Sequence, residues 1–549
     1  MLELNEHFLK KTQAIFSIGL LGVLLLGIVL RVYFSPDINY ETDSFSVLLS
    51  AGSIAETGNY MIPSVSFTDP GGDYQSNPGW AVGYSLLLSF FFKIFGSSET
   101  VARWITILLC SAVIPVIGLV GRRLQGRSTG IVAALLVAVS PLLLCLNGRI
   151  LTANMGYCLL TISISFLILA TLRSGDGVRY VGSREMLRSR SRFFCFALAC
   201  FFFGLTVMTR DDFAMFATVF LVVFWGMLRN PDEKIAENRL WNYLRLAAAG
   251  AVCSLAGYLP NLYFNYKTYG KILTSSHYEY GGRLSLEYLL KGSSGALGLP
   301  GWAVIIATIL IFVFPIVSIF FVGRRSKAGA LVGSVLVAMI VPLLLINGSY
   351  PVASSGASAR YVIPLIPFAS IAAASLLVRK DIVPAFFYYG FVACLVLWHA
   401  VLIYPPTVLF ECSPKAAYLT QYSPWYNTHN YINYPHPVRA SLRWAREHTP
   451  SDAVILSDYD FYHYFFYAHR DVMNRDHVEQ VRKQLKKRPV FFIEDHPIAS
   501  HPGSLDGWKE KLAAHSIILR ERNSIPLFSP TRGEVRLRMY ELVESPGQA

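Results

Sequence analysis

Residues 99–147 read ETVARWITILLCSAVIPVIGLVGRRLQGRSTGIVAALLVAVSPLLLCLN. Two apolar runs, about 99–121 and 128–147, flank a short connection that carries Arg122, Arg123 and Arg127. A bilayer core about 30 Å thick is crossed by roughly 20 apolar residues as helix, because a helix satisfies its own backbone hydrogen bonds in lipid. The stretch is therefore expected to be two membrane spans joined by a basic loop. Runs of the same kind near 14–33, 151–172, 193–209, 213–228, 245–263, 302–322, 328–346, 360–378 and 382–403 bring the expected total to about eleven. The first run exceeds a signal-peptide core and lacks a small-residue cleavage site, so it is expected to be a retained span.

Composition agrees. Of 549 residues, 53% are hydrophobic and 15% charged, where soluble domains carry roughly 25% charged residues. The formal charge of +13 does not point to nucleic acid, because the basic residues sit in short loops between apolar runs. Such placement reports membrane orientation, Lys and Arg being enriched in cytoplasmic loops. The eight cysteines, only Cys412 of which falls in a polar part of the chain, form neither a disulfide framework nor a zinc spacing.

The segment 79–95 (GWAVGYSLLLSFFFKIF) is either a twelfth span or a helix lying at the interface. Counted as a span, it would put basic loops on both sides. Counted as interfacial, it leaves Arg122, Arg123, Arg127, the arginines of 173–192, those of 229–245, Arg324, Arg325, Lys327, Arg379 and Lys380 on one side. The second arrangement is expected, with the N-terminus cytoplasmic and the C-terminus outside. It leaves two long extracytoplasmic loops, 35–98 and about 264–300. Loops of that length usually carry function.

From about Tyr404 the composition turns polar. The stretch 404–437 is rich in Pro, Tyr and Asn and reads as linker. VRASLRWAREHTP has helical spacing up to Pro450, and AVILSDY (453–459) and PVFFIED (489–495) read as buried parallel strands around a basic amphipathic helix at 476–488. The expected architecture is a polytopic α-helical membrane domain over 1–403 with a small extracytoplasmic α/β domain over 404–549.

Ionisable groups gather at the extracytoplasmic ends of the spans: Glu41 and Asp43, Arg149, Arg210 with Asp211 and Asp212, Lys267, Lys271 and Arg360. Charges near lipid mark functional sites, and this distribution points to a site at the outer membrane face. Asp43 precedes an apolar stripe of Phe45, Leu48, Leu49 and Ile54 suited to an interfacial helix. A carboxylate there can act as a general base toward a hydroxyl, or simply cap the helix. His277, between tyrosines, could stack on a sugar, although interfacial aromatics are common.

The order Asp43, Ala51, Ile54, Gly58, Tyr60 resembles the first-loop signature of the GT-C glycosyltransferases, membrane enzymes dependent on polyprenyl-phosphate sugars, which include protein O-mannosyltransferases and lipid A aminoarabinose transferases. Further pieces resemble that family in the same order. They are Asn77-Pro78-Gly79 to Phe95-Gly96, Arg103, Gly121-Arg122-Arg123-Leu124 to Gly126, Ser140-Pro141, Gly204 to Thr209-Arg210, Asn265 to Tyr269-Gly270, and Arg360-Tyr361-Val362-Ile363-Pro364 to Pro367. The chain departs from the family at Ser44, where an acid is usual, and after the third span, where only Ala153 and Asn154 stand near the place of a second acid.

The resemblance implies an inverting transfer of a sugar from a polyprenyl phosphate to an acceptor hydroxyl. Asp43 would be the base, and Arg210, Arg360, Arg149, Lys267 and Lys271 would hold the donor phosphate. Glu41, Asp211, Asp212 and His277 would be auxiliary or acceptor-binding. The bacterial inner membrane is the expected location, with the eukaryotic endoplasmic reticulum as the alternative. No cofactor is expected beyond the lipid-linked sugar, and no metal, since hard divalent cations want several oxygen ligands. The expected partners are membrane lipid and a glycan, lipid or protein acceptor. A lipid or glycan transporter or flippase is the alternative, but the inverted repeat and broken helices it would need are not evident in the sequence.

Overall fold

The computed structural model describes residues 2–35, 42–62, 81–173, 179–228, 239–272, 333–339, 363–378, 385–403, 437–457, 469–474, 478–494, 504–529 and 533–545. The chain divides into two compact units, Met1–Asp37 with Gly79–Asn427, and Ile38–Pro78 with Thr428–Ala549. Composition places a boundary at 403/404; the structure groups the first long loop, with Asp43, with the C-terminal part.

In chain order the helices begin with α1 (Leu2–Tyr33) and α2 (Thr42–Thr57), the latter in the second unit. The first unit continues through α3 (Gly83–Phe95), α4 (Glu99–Gln125), α5 (Arg127–Ala138), α6 (Pro141–Asn147), α7 (Thr152–Thr171), a two-strand ribbon β1 (Leu172–Arg173) and β2 (Arg179–Tyr180), α8 (Ser183–Arg188), α9 (Arg190–Thr209), a 3-10 turn Asp211–Phe216, α10 (Ala217–Leu228), α11 (Arg239–Tyr269), α12 (Ile366–Val378) and α13 (Ala385–Ile403). Among the described residues, six stretches are long and apolar enough to cross a membrane: Gln13–Tyr33, Glu99–Gln125, Thr152–Thr171, Arg190–Thr209, Asp211–Leu228 and Leu240–Tyr269. The expected run 302–322 and most of 328–346 lie outside the described residues.

One expected span is not a single helix. The run 128–147 breaks into α5 and α6 at Val139-Ser140-Pro141. Proline supplies no N–H and forces its predecessor out of the helical region, and Ser140 is extended at φ −61°, ψ 118°. The 13 residues of α3 rise only about 20 Å, too short for the bilayer core. That length fits the interfacial expectation for 79–95. Its Tyr84, Leu88 and Phe92 are buried, whereas Phe90, Ile94 and Phe95 are exposed.

The bundle is organised around α7, which is buried almost all round and packs on α4 and α9. α1 sits at the periphery, burying Phe16 and Leu20 while Ile18, Leu25 and Val29 point outward, as lipid-facing residues do. α9 and α11 approach closely because Gly204 and Gly257 face each other's helix. A methyl group on Gly204 would meet the Ser254 carbonyl oxygen, so only glycine allows the contact.

In the second unit, α2 departs from the amphipathic surface helix expected of it. Phe45, Leu48 and Ile54 are buried, but so are Ser44, Ser46 and Ser50 on the opposite side. Small serines allow that enclosure, and Ser50 answers its own hydroxyl by donating to the Ser46 carbonyl. The C-terminal part contains α14 (Pro437–His448), β3 (Val454–Ser457), β4 (Asp471–Asn474), α15 (Val478–Leu485), β5 (Val490–Glu494), α16 (Ser504–Ala514), β6 (Ile517–Ser529) and β7 (Gly533–Glu544). The five strands run in the order β4-β3-β5-β7-β6. The two apolar runs pair in parallel as their patterning predicts, with Val454 opposite Val490. β7 then adds antiparallel to β5, and β6 to β7. Leu456, Phe492, Trp508 and Leu542 form the core of this sheet. Buried Arg470 donates to the Thr449 and Arg446 carbonyls and so closes the C-terminal turn of α14; burial lowers its pKa from the ordinary guanidinium value, and neighbouring Arg446 lowers it further.

Candidate active site

The buried charged residues of the first unit collect at one end of the bundle, where α6 passes to α7 and α9 passes to α10. α9 stops at Thr209 because Arg210 is extended, at φ −155°, ψ 114°. The 3-10 turn that follows starts with two acids, and a helix N-terminus favours negative charge. Arg210 then turns onto Asp212 as a fork, with Nε donating to Oδ1 at 3.0 Å and Nη2 to Oδ2 at 2.7 Å. Both side chains are under 10% exposed. A paired, hydrogen-bonded charge is the form in which an ion tolerates burial.

Asp211 takes a different direction. Its Oδ1 accepts from the Tyr258 hydroxyl at 3.4 Å, that hydroxyl accepts from Asn261 Nδ2 at 2.8 Å, and Asn261 Oδ1 accepts from the Val82 amide at 3.3 Å. This chain fastens the start of α3 to α11 beside the Arg210 turn. Tyr84 adds a hydroxyl contact to Thr106 of α4.

Arg149 lies on the 147–151 connection and is 4% exposed. Its backbone is held from several directions. Asn154 Nδ2 donates to the Leu146 and Arg149 carbonyls at 2.6 and 2.7 Å, and the Ser35 hydroxyl donates to the Gly148 carbonyl at 3.4 Å. Gly148 has no room for a side chain, since a Cβ there would lie 2.7 Å from the Ser35 backbone. Lys267 and Lys271, at the far end of α11, are exposed.

The structure therefore gathers Arg149, Arg210, Asp211 and Asp212 at one end of the first unit, with Lys267 and Lys271 at the end of α11. Asp43 lies in the first turn of α2 in the second unit, where its backbone is helical. Glu41, His277 and Arg360 lie outside the described residues. Among the acids of the first-unit site, Asp212 is engaged by Arg210 and Asp211 faces Tyr258. Among the described residues, no three His, Cys, Asp or Glu side chains converge.

Sequence reasoning missed Arg31, Asn147 and Tyr157. Arg31 is fully buried, donating to the Gly27, Val137 and Ala138 carbonyls at 3.0, 3.3 and 3.4 Å. With the Asn147 amide oriented to satisfy both partners, its oxygen accepts from Arg31 Nε at 3.0 Å and the group also meets the Tyr157 hydroxyl. An arginine in the last turn of an apolar helix reads as an interfacial anchor. Nothing in the sequence around Arg31 signals its burial, since the carbonyls that the Ser-Pro break frees to receive it lie 106 and 107 residues away.

Residues 80–264 match a family model described as dolichyl-phosphate-mannose-protein mannosyltransferase. None of the curated proteins compared matches the chain. Among solved structures, apo ArnT from Cupriavidus metallidurans is similar at 14% identity and TM-score 0.62, covering 97% of this chain and 98% of that one. The same protein bound to undecaprenyl phosphate gives 14% identity and TM-score 0.56, covering 96% and 97%. The oligosaccharyltransferase of Archaeoglobus fulgidus in complex with Zn and sulfate gives 14% and 0.51, covering 94% of this chain and 72% of that one. The chain thus shares the fold of these membrane proteins over nearly its whole length, and its residues 80–264 match the mannosyltransferase family model.

Proposed function

We propose that the protein is an inverting glycosyltransferase of the bacterial inner membrane. It moves a sugar from a polyprenyl-phosphate donor to an acceptor hydroxyl at the extracytoplasmic face. The observation that carries this reading is the collection of Arg149 and Arg210 at one end of a bundle whose fold is shared with a protein solved with undecaprenyl phosphate. The match of the helices around them to a dolichyl-phosphate-mannose-dependent family supports it.

In this reading the donor phosphate is held by guanidinium groups, whose planar forks suit phosphate oxygens. Arg149 and Arg210 make these contacts, one edge of Arg210 being engaged by Asp212. Arg360, Lys267 and Lys271 supply further positive charge. Asp43 takes the proton of the acceptor hydroxyl as that oxygen attacks the anomeric carbon. The bond from that carbon to the phosphate oxygen breaks on the opposite face, its electron pair leaving with the lipid phosphate. Positive charge at the phosphate stabilises the charge that develops there. Glu41, Asp211, Asp212 and His277 shape the acceptor side. The N-terminus is cytoplasmic and the sheet of the second unit extracytoplasmic.

The test follows radiolabelled sugar from defined polyprenyl-phosphate donors into membrane fractions. Asp43→Asn is expected to lower transfer at least about a hundredfold, the usual range for a general base, with expression and donor binding intact. Undiminished transfer would remove Asp43 from the reaction. Retained anomeric configuration in the product would remove the single-displacement step.

A further inference from the structure

Arg31 and Asn154 are more elaborate than the packing of a helix bundle requires. Arg31 is 0% exposed, and its described hydrogen-bond partners are all neutral oxygens: three carbonyls and the Asn147 amide. Two of the carbonyls, Val137 and Ala138, are the ones that the break before Pro141 leaves at the C-terminal end of α5, where a cation is favourable. Asn154 is 0% exposed and spends both amide hydrogens on Leu146 and Arg149 carbonyls, while its Oδ1 has no partner among the described residues. A buried acceptor left without a donor is costly. The site therefore demands a double donor at that position more than it demands a satisfied side chain. Asn147, which Arg31 meets, and the Leu146 and Arg149 carbonyls, which Asn154 binds, belong to one short connection, 146–149, and the residue at its end is Arg149.

We infer that Arg31 and Asn154 are positioning residues, which hold the 146–149 connection so that the Arg149 guanidinium stays fixed where the donor phosphate is received. The inference rests on the reading of Arg149 as a phosphate contact. Arg31 pins the end of α5 and Asn147 from the side of α1, Asn154 pins Leu146 and Arg149 from α7, and Ser35 holds Gly148 between them. A prearranged guanidinium loses less freedom on binding than a mobile one, which raises affinity without a new contact.

The experiment measures undecaprenyl phosphate binding to the full-length protein in nanodiscs for wild type, Arg149→Gln, Asn154→Leu and the double variant. Asn154→Leu is expected to weaken binding about tenfold, the size of one hydrogen bond to a charged group. Arg149→Gln should weaken it at least as much, and the double variant no further than Arg149→Gln alone, since residues that act as a unit are not additive. A double variant showing the product of the two single losses overturns the positioning role, as does wild-type binding by Asn154→Leu. If Arg149→Gln alone binds like wild type, the phosphate reading of Arg149 fails and takes this inference with it. Should Asn154→Leu not fold, Ser35→Ala removes a single bond and is expected to cost about threefold, again absent from the Arg149→Gln background; an equal loss in both backgrounds overturns the role. Arg31→Lys keeps the charge but not the fork. It should behave like Asn154→Leu, and wild-type affinity in that variant would show that the fork is not what holds the connection.

Discussion

Three arginines at one end of the bundle are buried in three different ways, and the differences decide what each can do. Arg31 answers its charge with carbonyls, Arg210 with the carboxylate of Asp212, and Arg149 sits on a connection held by its neighbours. The Arg210–Asp212 pair is the one whose disruption has a calculable cost. Removing one partner of a buried ion pair leaves an uncompensated charge in a low-dielectric surrounding, which destabilises by about 3–5 kcal/mol. Asp212→Asn keeps the shape and removes the charge, so it should lower the thermal unfolding midpoint of the detergent-solubilised protein. Asp211→Asn, whose described partner is a 3.4 Å contact with the Tyr258 hydroxyl, should lower it less. The reverse order would mean that the fork contributes little. At this scale the sequence was half legible. The pattern Arg-Asp-Asp after a glycine-containing apolar run marked 210–212 as a polar turn, but which acid pairs with the arginine depends on the extended backbone at Arg210. Arg31 could not be read at all, because beyond the Gly27 carbonyl of its own helix its partners include carbonyls 106 and 107 residues away.

At the scale of the element, apolar length and small residues carry most of the fold. α9 and α11 cross where Gly204 and Gly257 remove the side chains that would separate them. Close backbone approach of this kind supplies packing in lipid, where no hydrophobic force draws helices together. Gly204→Ala should push α9 away from Ser254 and destabilise by about 1–3 kcal/mol, as overpacking does. Gly22→Ala on α1 meets nothing within 4 Å and is the matched control, expected to be neutral or slightly stabilising because alanine is the better helix former. Equal unfolding midpoints for the two variants would show that the crossing tolerates a methyl group. The helical spans were legible as runs of apolar residues, and the parallel pair β3 and β5 as short β-rich runs. The division of 128–147 was not, because hydropathy averages over Ser140-Pro141 while the backbone does not. The enclosure of α2 was also missed. A helix alternating serine with phenylalanine and leucine looks amphipathic in isolation, and only its surroundings determine that the serine face is covered too.

For the molecule as a whole, the decisive pattern is the separation of two kinds of positive charge. Arg122, Arg123 and Arg127 lie at the junction of α4 and α5, Arg184, Arg188 and Arg190 at the foot of α9, and Arg245 near the start of α11. Those groups share one end of the bundle, since each belongs to the turn or terminus opposite the Arg149 and Arg210 connections on the same helices. They are mostly exposed or half-buried, and Arg245 lies over the Trp241 ring as side chains at a lipid–water boundary do. Arg149 and Arg210, by contrast, are buried. In the proposed orientation the exposed group would be the cytoplasmic one, in keeping with the positive-inside rule, and the buried group is what a bound anion would require. This assignment makes a prediction about sidedness that does not depend on catalysis. In intact cells, and in a background whose eight native cysteines are replaced, a single cysteine introduced as Lys271→Cys, at the Arg210 end, should react with a membrane-impermeant maleimide, while Arg188→Cys should react only after permeabilisation. The opposite pattern would turn the whole bundle over. It would place the buried arginines at the cytosolic face and leave a donor on the outer leaflet without its phosphate contacts.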